Sequence, residues 1–303
     1  MSNIVKKAIG VLKSPKKRTI ILAQHGFFKN MSDEDFLKMQ FKNVFGYPLD
    51  LENPKTYSEK LQWLKLYDRQ EKYTKMVDKY EAKKYVSNII GEEYIIPTIG
   101  IYENFDEINF DELPNKFVMK CTHDSGGIVI CRDKKNFDIN IAKKKINKCL
   151  KTNYYYPGRE WPYKNVKPRI IIEKYMEEKN FTQLNDYKFM CFDGKVKCCF
   201  VCSERDNKNE GLAVTFFDEN WEKMPFIRHY RNSSKKIDKP KKFDLMVKLA
   251  EKLSKTIPFV RVDFYEIDGK VYFGDLTFYP GSGFEEFKPD EWDEKIGDWI
   301  TVV

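Results

Sequence analysis

Two acidic residues interrupt β-like apolar runs in "PFVRVDFYEIDGKVYFGDLTFYPGSG", which spans residues 258–283. Asp263 and Asp275 each stand where the pattern favours an apolar residue, and a carboxylate inside a sheet is costly unless a cation or a metal compensates it. Asp268 and Gly269 are typical of a two-residue hairpin turn, and that register puts the two acids on opposite faces. One extra loop residue or a β-bulge would place them opposite each other. Oxygen ligands without His or Cys then favour Mg²⁺ bridged to phosphates.

The alternative to a metal site is a pair of aspartates bonded to the backbone or to a basic neighbour such as Arg261. Lys120 ends one apolar run and Lys188 lies within another, where a lysine needs an anionic partner or a route to solvent. The "DSGG" loop after Lys120 can bring backbone N–H groups against phosphate oxygens, although a plain hairpin turn is an equal alternative. These residues together favour a ligand that carries phosphate groups.

The composition bounds the class of protein. The chain has 303 residues, of which 33% are charged and 42% are hydrophobic, as in an ordinary globular protein. No apolar run reaches about 18 residues, and the N-terminus lacks the apolar core and cleavage site of a signal peptide, so we expect a cytoplasmic protein. The odd number of cysteines, seven, fits that compartment.

The formal net charge of +8 is concentrated at the N-terminus, since residues 1–30 contain seven basic residues and no acid. They are Lys6, Lys7, Lys13, Lys16, Lys17, Arg18 and Lys29. One interpretation is a solvated arm. The other is a peripheral contact with anionic lipid at the inner face of the membrane. Nucleic acid is not expected as a partner, because the basic residues form no stripe with interleaved aromatics beyond this arm.

Hydrophobic periodicity and capping residues predict helices over 32–45, 57–68, 72–89 and 241–256. Ser32 is expected to cap the first helix, and Thr56 or Ser58 the second. Besides the hairpin quoted above, strands are predicted in "KFVMKCTH", "GIVICRD", "RIIIEKYM", "DYKFMCFDG", "KVKCCFVCSE" and "LAVTFFDEN". The N-terminal third is mainly helical and the rest mixes helices with hairpins, which favours an α+β fold over a doubly wound sheet.

The order of these features resembles the ATP-grasp fold: Lys120, the "DSGG" loop, "EKYM", and then two acids on a late hairpin. The resemblance implies two α+β subdomains that grip ATP, preceded here by a mainly helical, basic region over residues 1–70. The ATP-grasp domain would span 71–303. Within it, a lysine and glycine-loop subdomain would cover about 71–175, and a metal-binding subdomain 176–303.

The resemblance also implies roles for individual residues. Lys79 and Lys120 would contact the nucleotide from its phosphate or adenine side. The other nucleotide contacts would come from the lid of the glycine loop, from the adenine hinge, and from a lysine that reaches the triphosphate: Ser125, Gly126, Gly127, Glu173, Lys174, Met176 and Lys188. Arg261 would act in catalysis with Lys188, contacting the transferred phosphoryl group or the acyl phosphate.

Asp263 and Asp275 would hold Mg²⁺, with two departures from the pattern of the family. Thr277 stands where the third ligand is usually Asn, and Asp275 replaces the usual Glu. Because a hydroxyl is a poorer ligand for Mg²⁺, the resemblance leaves open whether one ion or two bind.

Longer strings resemble the TupA-like ATP-grasp family, which is named for a teichuronopeptide biosynthesis protein and is common in capsule and exopolysaccharide gene sets. They include "NPKTYSEKLQWLKLYDR", "KCTHDSGG" and "NYYYPGREWPYKNVKPRIIIEKYM", and the resemblance covers about 40–300. It implies an ATP-dependent carboxylate–amine ligase that forms an amide through an acyl phosphate. The carboxylate would belong to a uronic acid or an acidic amino acid, and the amine to an amino acid or a small amino alcohol.

Substrate contacts would come from two segments. The aromatic loop 152–164 would present Arg159 and Tyr163 to a sugar and its carboxylate, although packing is an equal alternative for the aromatic residues. The loop after the second acid would add Gly281 and Ser282. Three other readings stay open: a glycosyltransferase that holds a nucleotide-sugar diphosphate through the two acids, an ATP-grasp phosphotransferase, and a nucleotide-binding module without turnover.

Overall fold

The computed structural model describes residues 14–178, 184–204 and 210–302, so Lys6, Lys7 and Lys13 of the basic arm lie outside the described residues. The helices are α1 (Pro15–Gln24), α2 (Asp33–Phe45), α3 (Tyr57–Tyr67), α4 (Lys72–Val77), α5 (Glu81–Ile90), α6 (Ile139–Leu150), α7 (Tyr155–Gly158), α8 (Phe243–Ser254) and α9 (Glu291–Gly297). The strands are β1 (Thr98–Tyr102), β2 (Phe117–Cys121), β3 (Ile128–Cys131), β4 (Ile170–Lys174), β5 (Asp186–Phe192), β6 (Lys195–Ser203), β7 (Ala213–Asp218), β8 (Ile227–Arg228), β9 (Phe259–Ile267), β10 (Lys270–Thr277) and β11 (Phe287–Lys288).

The strands form two larger antiparallel sheets, which confirms the predicted α+β class. The first sheet has the order β1-β4-β2-β3 and packs against α6; the second has the order β10-β9-β5-β6-β7 and packs against α8. A separate apolar cluster joins α1 and α2 to Phe284, which lies beyond the second sheet. The domain boundaries at residues 70 and 175 stay predictions. Within the part of the chain that the structure describes, no helix combines the length and the apolar character needed to cross a bilayer.

The N-terminal helices begin and end where their capping residues predict. Ser32 accepts a hydrogen bond from the backbone N–H of Asp35 at 3.1 Å, and Gly46 ends α2 in the left-handed conformation with a φ of 81°. Thr56, not Ser58, caps α3, and it forms a reciprocal capping box with Glu59. These local signals confirm the first two predicted helices.

The prediction of one helix over 72–89 is wrong, because the chain breaks between α4 and α5. Asp78 is extended, with φ −70° and ψ 113°, and its carboxylate accepts a hydrogen bond from the N–H of Tyr80 at 2.9 Å. The N–H of Lys79 leaves the helical pattern and donates to the carbonyl of Thr122 at 3.0 Å. An aspartate that caps the following helix therefore ends the preceding one, and the break ties Lys79 to the end of β2.

The hairpin of β9 and β10 contains both features that the sequence raised as alternatives, the two-residue turn and the β-bulge. Asp268 and Gly269 have φ values of 49° and 75°, as expected for a two-residue turn with both central residues left-handed. The register then shifts between Phe273 and Leu276, which is a β-bulge. Leu276 pairs with Val262 and stays buried, so Asp275 is released from the core face that the uninterrupted register would give it.

Candidate functional site

Asp263 on β9 is paired with two cations. Arg261 donates to both of its carboxylate oxygens, from Nε and from a terminal nitrogen, at 2.7 Å each. Lys188 on β5, directly across the ladder, contacts the same carboxylate and also lies 2.7 Å from Asp186. The side chain of Asp263 is only 3% exposed. At Asp263 the structure therefore contains the alternative to a metal site, in which the aspartate is bonded to basic neighbours.

Both cations stay charged despite their burial. Burial opposes the charge of Arg261, but the attraction of Asp263 outweighs it and the pKa of Arg261 lies above its ordinary value. Burial likewise works against Lys188, and the carboxylates of Asp186 and Asp263 more than reverse this, so the pKa of Lys188 is raised.

Glu173, near the end of β4, anchors two lysines. Its two carboxylate oxygens lie 2.5 Å from Lys83 and 2.7 Å from Lys120. Burial works against the charge of the carboxylate, but the two lysines outweigh it and lower the pKa of Glu173. One carboxylate cannot compensate two ammonium groups fully. Burial lowers the pKa of Lys83 in spite of the attraction of Glu173 and Asp275. For Lys120 the attraction of Glu173, Asp275 and Asp186 outweighs burial, and its pKa is raised.

Lys79 connects the glycine loop with the hairpin. Its ammonium donates to the carbonyl of Asp124 at 2.7 Å and lies 3.9 Å from the carboxylate of Asp275. The side chain of Asp275 is 45% exposed. Burial raises its pKa, but the attraction of Lys79, Lys120, Lys188 and Arg261, in decreasing order, prevails and lowers it. These shared neighbours place Asp275 on the same side of the hairpin as Asp263.

We refer to these residues as the charge cluster. Its members come from α5, from the break before it, and from β2, β4, β5, β9 and β10, so both sheets contribute. They are Lys79, Lys83, Lys120, Glu173, Asp186, Lys188, Arg261, Asp263 and Asp275.

The carboxylates fit a Mg²⁺ ion in chemistry and in placement. The bulge brings Asp275 beside Asp263, and Asp275 has exposed surface for a ligand. A side chain at Gly274, within the bulge, would lie 3.2 Å from the carbonyl oxygen of Asp263, so the close approach depends on glycine. Thr277 accepts a hydrogen bond from Arg261 at 2.9 Å. Its hydroxyl therefore fixes the arginine, and the carboxylates remain the oxygen donors suited to a cation.

The glycine loop is fixed at its base and exposed at its tip. Ser125 and Gly126 are exposed, and Gly126 has a φ of 131° with nothing within 4 Å of an added side chain. Gly127 is buried, and its N–H donates to Asp124 at 3.2 Å. His123 anchors the loop through its Nε2, 3.1 Å from the carbonyl of Cys149.

The predicted adenine hinge lies at the end of β4. This strand is in the interior of the first sheet, between β1 and β2. The N–H of Lys174 donates to the carbonyl of Pro97 at 3.0 Å, while its side chain is exposed. Met176 is half-buried in the segment after the strand. The hinge assignment of Glu173, Lys174 and Met176 stays a prediction.

Arg159 is not brought to the charge cluster. Its side chain is 1% exposed and donates to the carbonyls of Phe28 and Met31. The guanidinium also packs over the ring of Phe36 at 4.5 Å. These contacts attach the aromatic loop to the N-terminal segment, and the contact of Arg159 with a substrate carboxylate stays a prediction.

The remaining residues of the predicted substrate site are Tyr163, Gly281 and Ser282. Tyr163 is 8% exposed and its ring packs edge-on against Tyr154 at 4.9 Å. Gly281 and Ser282 form a turn in which both residues have positive φ. The carbonyl of Ser282 accepts a hydrogen bond from Lys65 at 2.8 Å.

Lys65 and Glu160 were missed by the sequence analysis. Lys65 on α3 is fully buried and donates to Gln62, to the carbonyl of Gly158 and to the carbonyl of Ser282, at 2.7–2.8 Å. Glu160 is 3% exposed and accepts a hydrogen bond from the Ser282 hydroxyl at 2.5 Å. Burial lowers the pKa of Lys65 and raises that of Glu160. Nothing in their local patterns distinguishes them from surface charges.

Lys83 and Asp186 were also missed, although each carries a usable signal. Asp186 lies two residues before Lys188, and strand alternation puts both on one face. Lys83 lies four residues after Lys79, at the start of α5. Both residues could have been predicted from their spacing relative to Lys188 and Lys79, which the sequence had already indicated.

Comparison with known proteins gives one family and several solved structures. A family model described as TupA-like ATPgrasp matches residues 59–301. No curated protein matches the chain. D-alanine–D-alanine ligase from Bacillus anthracis, solved with ATP, is 17% identical, with a TM-score of 0.39 over 67% of this chain and 55% of that chain. The same ligase from Helicobacter pylori is 13% identical, with a TM-score of 0.44 over 82% of this chain and 70% of that one.

A third structure is the ADP complex of PurK, an N5-carboxyaminoimidazole ribonucleotide synthetase. It is 16% identical, with a TM-score of 0.44 over 81% of this chain and 57% of that chain. This chain thus spans little more than half the length of the Bacillus anthracis ligase and of PurK.

Proposed function

Because the chain belongs to the TupA-like ATP-grasp family, we propose that it is a Mg²⁺- and ATP-dependent carboxylate–amine ligase. The observation that carries the proposal is the charge cluster, in which lysines and an arginine from both sheets are held by carboxylates. A ligand with phosphate groups can bind these cations, because phosphate oxygens can replace the carboxylate oxygens as hydrogen-bond acceptors of the lysines.

The residues of the cluster would divide the work. Lys79, Lys120 and Lys188 would bind phosphate oxygens, and Asp263 and Asp275 would hold Mg²⁺. When bound, the ion neutralises charge on the transferred phosphoryl group. Arg261 is oriented by its two hydrogen bonds to Asp263 and by Thr277, so its remaining donor capacity has a fixed direction. A preorganised cation of this kind stabilises developing negative charge.

The proposed reaction has two steps. A carboxylate oxygen of the first substrate attacks the γ-phosphorus of ATP, and ADP leaves, which gives an acyl phosphate. The amine nitrogen of the second substrate then attacks the acyl carbon, inorganic phosphate leaves, and the nitrogen loses its proton to give the amide. The protein contributes position and charge, not covalent chemistry.

We place this reaction in the assembly of a surface polysaccharide or teichuronopeptide, as the family resemblance implies. The carboxylate would then belong to a uronic acid or an acidic amino acid. Gly281 and Ser282, in the turn after the hairpin, and the nearby Tyr163 are the proposed substrate contacts. The cytoplasm is the proposed location, because ATP and activated sugars are available there.

Thermal unfolding with Mg-ATP, Mg-ADP, UDP-sugars and Mg²⁺ alone tests the proposal. Mg-ATP at 100 times its Kd should raise the unfolding midpoint by about 5–10 °C, because only the native state binds it. Release of ADP and phosphate in equal amounts, only when an acid and an amine are both present, would support the ligase activity. Stabilisation by UDP-sugars alone would instead indicate a glycosyltransferase. A stable phosphorylated product would indicate a phosphotransferase, and ATP binding without any turnover a binding module.

We also propose that the N-terminal segment contacts an anionic membrane surface. Ile21 and Leu22 on α1 are 36% and 37% exposed, and Phe27, just after this helix, is 75% exposed. Lys17 and Arg18 are exposed on α1 as well. Exposed apolar side chains beside basic residues suit the interface of an anionic bilayer.

Co-sedimentation with vesicles tests this contact. The protein should bind vesicles that contain phosphatidylglycerol more than vesicles of phosphatidylcholine alone, and Phe27→Ser should weaken that binding. Ile141→Ser, at a 68% exposed apolar residue on α6, is the matched control and should leave it unchanged. Equal binding of the wild type to both vesicle types would contradict the proposal.

A further inference from the structure

A cavity of about 740 Å³ lies between the glycine loop and the turn that follows the hairpin. Its walls include Ser125 and Gly126 from the glycine loop, Gly281 and Ser282 from the turn, and Gln24 from α1. It therefore lies beside the loop expected to cover the phosphates, where a second substrate must approach an acyl phosphate. The N-terminal helix completes the enclosure.

Glu160 gives this cavity a buried negative charge. It lines the cavity, is 3% exposed, and has one hydrogen bond, from the hydroxyl of Ser282. Among the described residues, no basic group lies within 4 Å of its carboxylate. A buried carboxylate without an ion pair is unfavourable, and a cation supplied by a ligand would compensate it.

Lys65 attracts the carboxylate of Glu160 through space, but among the described residues it forms no hydrogen bond or ion pair with it. Its ammonium has three N–H groups, and they are directed at three neutral acceptors, on Gln62, Gly158 and Ser282. The hydrogen-bonding capacity of an ammonium group is thereby filled. Lys65 thus holds the turn and the aromatic loop together, and the carboxylate of Glu160 stays available to the cavity.

The cavity also carries positive charge. Lys145 and Lys148 on α6 line it, and both are exposed. Lys145 donates to the carbonyl of Ile128 at 2.6 Å, and within the described part of the chain the ammonium of Lys148 forms no hydrogen bond or ion pair. A ligand that carries both an ammonium and a carboxylate complements Glu160 and Lys148.

We propose that the cavity binds the amine substrate, that this substrate is an amino acid and not an amino alcohol, and that Glu160 binds its ammonium group. The inference rests on the proposed ligase function for its place in the reaction. It adds the class of the second substrate and the residue that selects it. Lys148 would attract the carboxylate of the same molecule.

Two measurements with separate readouts test the inference. The first is direct binding, without ATP, of glycine, L-alanine, L-lysine and ethanolamine, followed by saturation-transfer NMR. At least one amino acid should bind the wild type more tightly than ethanolamine does. Glu160→Gln should weaken that binding about 30-fold or more, because one partner of a buried charge pair is lost. Glu103→Gln, the same change at an exposed carboxylate, should leave it unchanged.

The second measurement is ADP release, with a uronic acid or an acidic amino acid as the first substrate, as a function of the concentration of the amino acid that binds. Glu160→Gln should raise its KM by a similar factor and leave the KM for ATP unchanged. Lys148→Gln, at an exposed position that does not threaten folding, should raise the KM for the amino acid but not for ethanolamine. It keeps the inference testable if Glu160→Gln does not fold.

The outcomes separate the two proposals. Loss of amino-acid binding in Glu160→Gln without any ADP release by the wild type would support the cavity and refute the ligase. ADP release with an unchanged KM for the amine in Glu160→Gln would support the ligase and overturn the cavity assignment. Tighter binding of ethanolamine than of every amino acid would overturn the substrate class.

Discussion

The charge cluster and the Lys65–Glu160 region bury charges in different ways. In the charge cluster, Asp263 is bonded to Arg261 and Lys188, so each ion has an ion of opposite sign. Lys65 and Glu160 are instead bonded to neutral groups, although both are buried. Where buried charges pair with each other, a charged ligand can replace one partner of a pair. Where buried charges are bonded to neutral groups, they fix the backbone or bind a ligand that supplies the opposite charge.

The largest expected effect is at the best-paired carboxylate of the charge cluster. Asp263→Asn leaves Arg261 and Lys188 without their shared partner and should lower the free energy of unfolding by about 3–5 kcal/mol, besides abolishing turnover. Asp275→Asn should abolish metal-dependent turnover with little change in stability, because Asp275 is partly exposed and 3.9 Å from Lys79. Urea unfolding measures the stability of both variants, and ADP release measures their turnover. Equal stability of the two variants would break the distinction drawn between paired and exposed carboxylates.

The next effect concerns the neutral partners of Lys65. Lys65→Met keeps the length of the side chain but removes the donor to the carbonyl of Gly158 and leaves the carbonyl of Ser282 only the longer bond from Gln62, at 3.3 Å. It should lower the free energy of unfolding by about 1–3 kcal/mol. The surface change Lys38→Met, at an exposed lysine paired with Glu34, should cause no measurable loss of stability. Similar losses in both variants, measured by urea unfolding, would show that Lys65 does not hold the loops.

The pH dependence of stability sharpens the same contrast. Burial lowers the pKa of Lys65 below its ordinary value of 10.5, so the unfolded chain binds more protons between the lowered pKa and 10.5. Stability from this group should therefore rise with pH across that window, by up to about 1.4 kcal/mol per pH unit. The raised pKa of Glu160 acts in the opposite sense, because stability from this group falls as pH rises above its ordinary value of 4.5. The wild type minus Lys65→Met difference in unfolding free energy, measured from pH 6 to 10, should contain the alkaline rise; a flat difference would contradict it.

The smallest effect is expected at the tip of the glycine loop. Gly126→Ala meets no atom within 4 Å, so its only penalty is the strain of a φ of 131°, about 1 kcal/mol. If the loop must keep this conformation to cover phosphates, the KM for ATP should rise by about fivefold, as that penalty implies. The KM for the amine should not change. A larger increase in the KM for the amine than in the KM for ATP would indicate that the loop contacts the second substrate and not the nucleotide.

The ATP-grasp fold and the charge cluster were largely predictable, and the reason is local. Lys120, Lys188, Asp263 and Asp275 stand out because each is a charge within an apolar β-run. The family match then confirms the fold that their order implied. The second set was not predictable in this way, since Lys65 lies on an amphipathic helix, where a lysine is ordinary. Its partners are the backbone of residues 158 and 282, and only the tertiary structure brings these to it.

Arg159 shows a different ambiguity. An arginine in an aromatic loop has the composition of a sugar site, and the same composition suits a structural anchor. In the structure its side chain is buried and donates to the carbonyls of Phe28 and Met31, as an anchor does. Residue types alone do not separate these alternatives, because both need the same guanidinium and the same rings.

The β-bulge has a consequence for insertions and deletions. Gly274 is the extra residue of β10, so its deletion would restore one continuous ladder in which Asp275 still lies opposite Asp263 and Leu276 still lies opposite Val262. Deletion of Tyr272, two positions earlier, would instead rotate one buried neighbour out of the core. Among homologous chains, the sequence separation of the two acids is therefore free to differ by one residue at this position without loss of the site. An alignment gap at 274 is harmless, and the same gap at 272 is not.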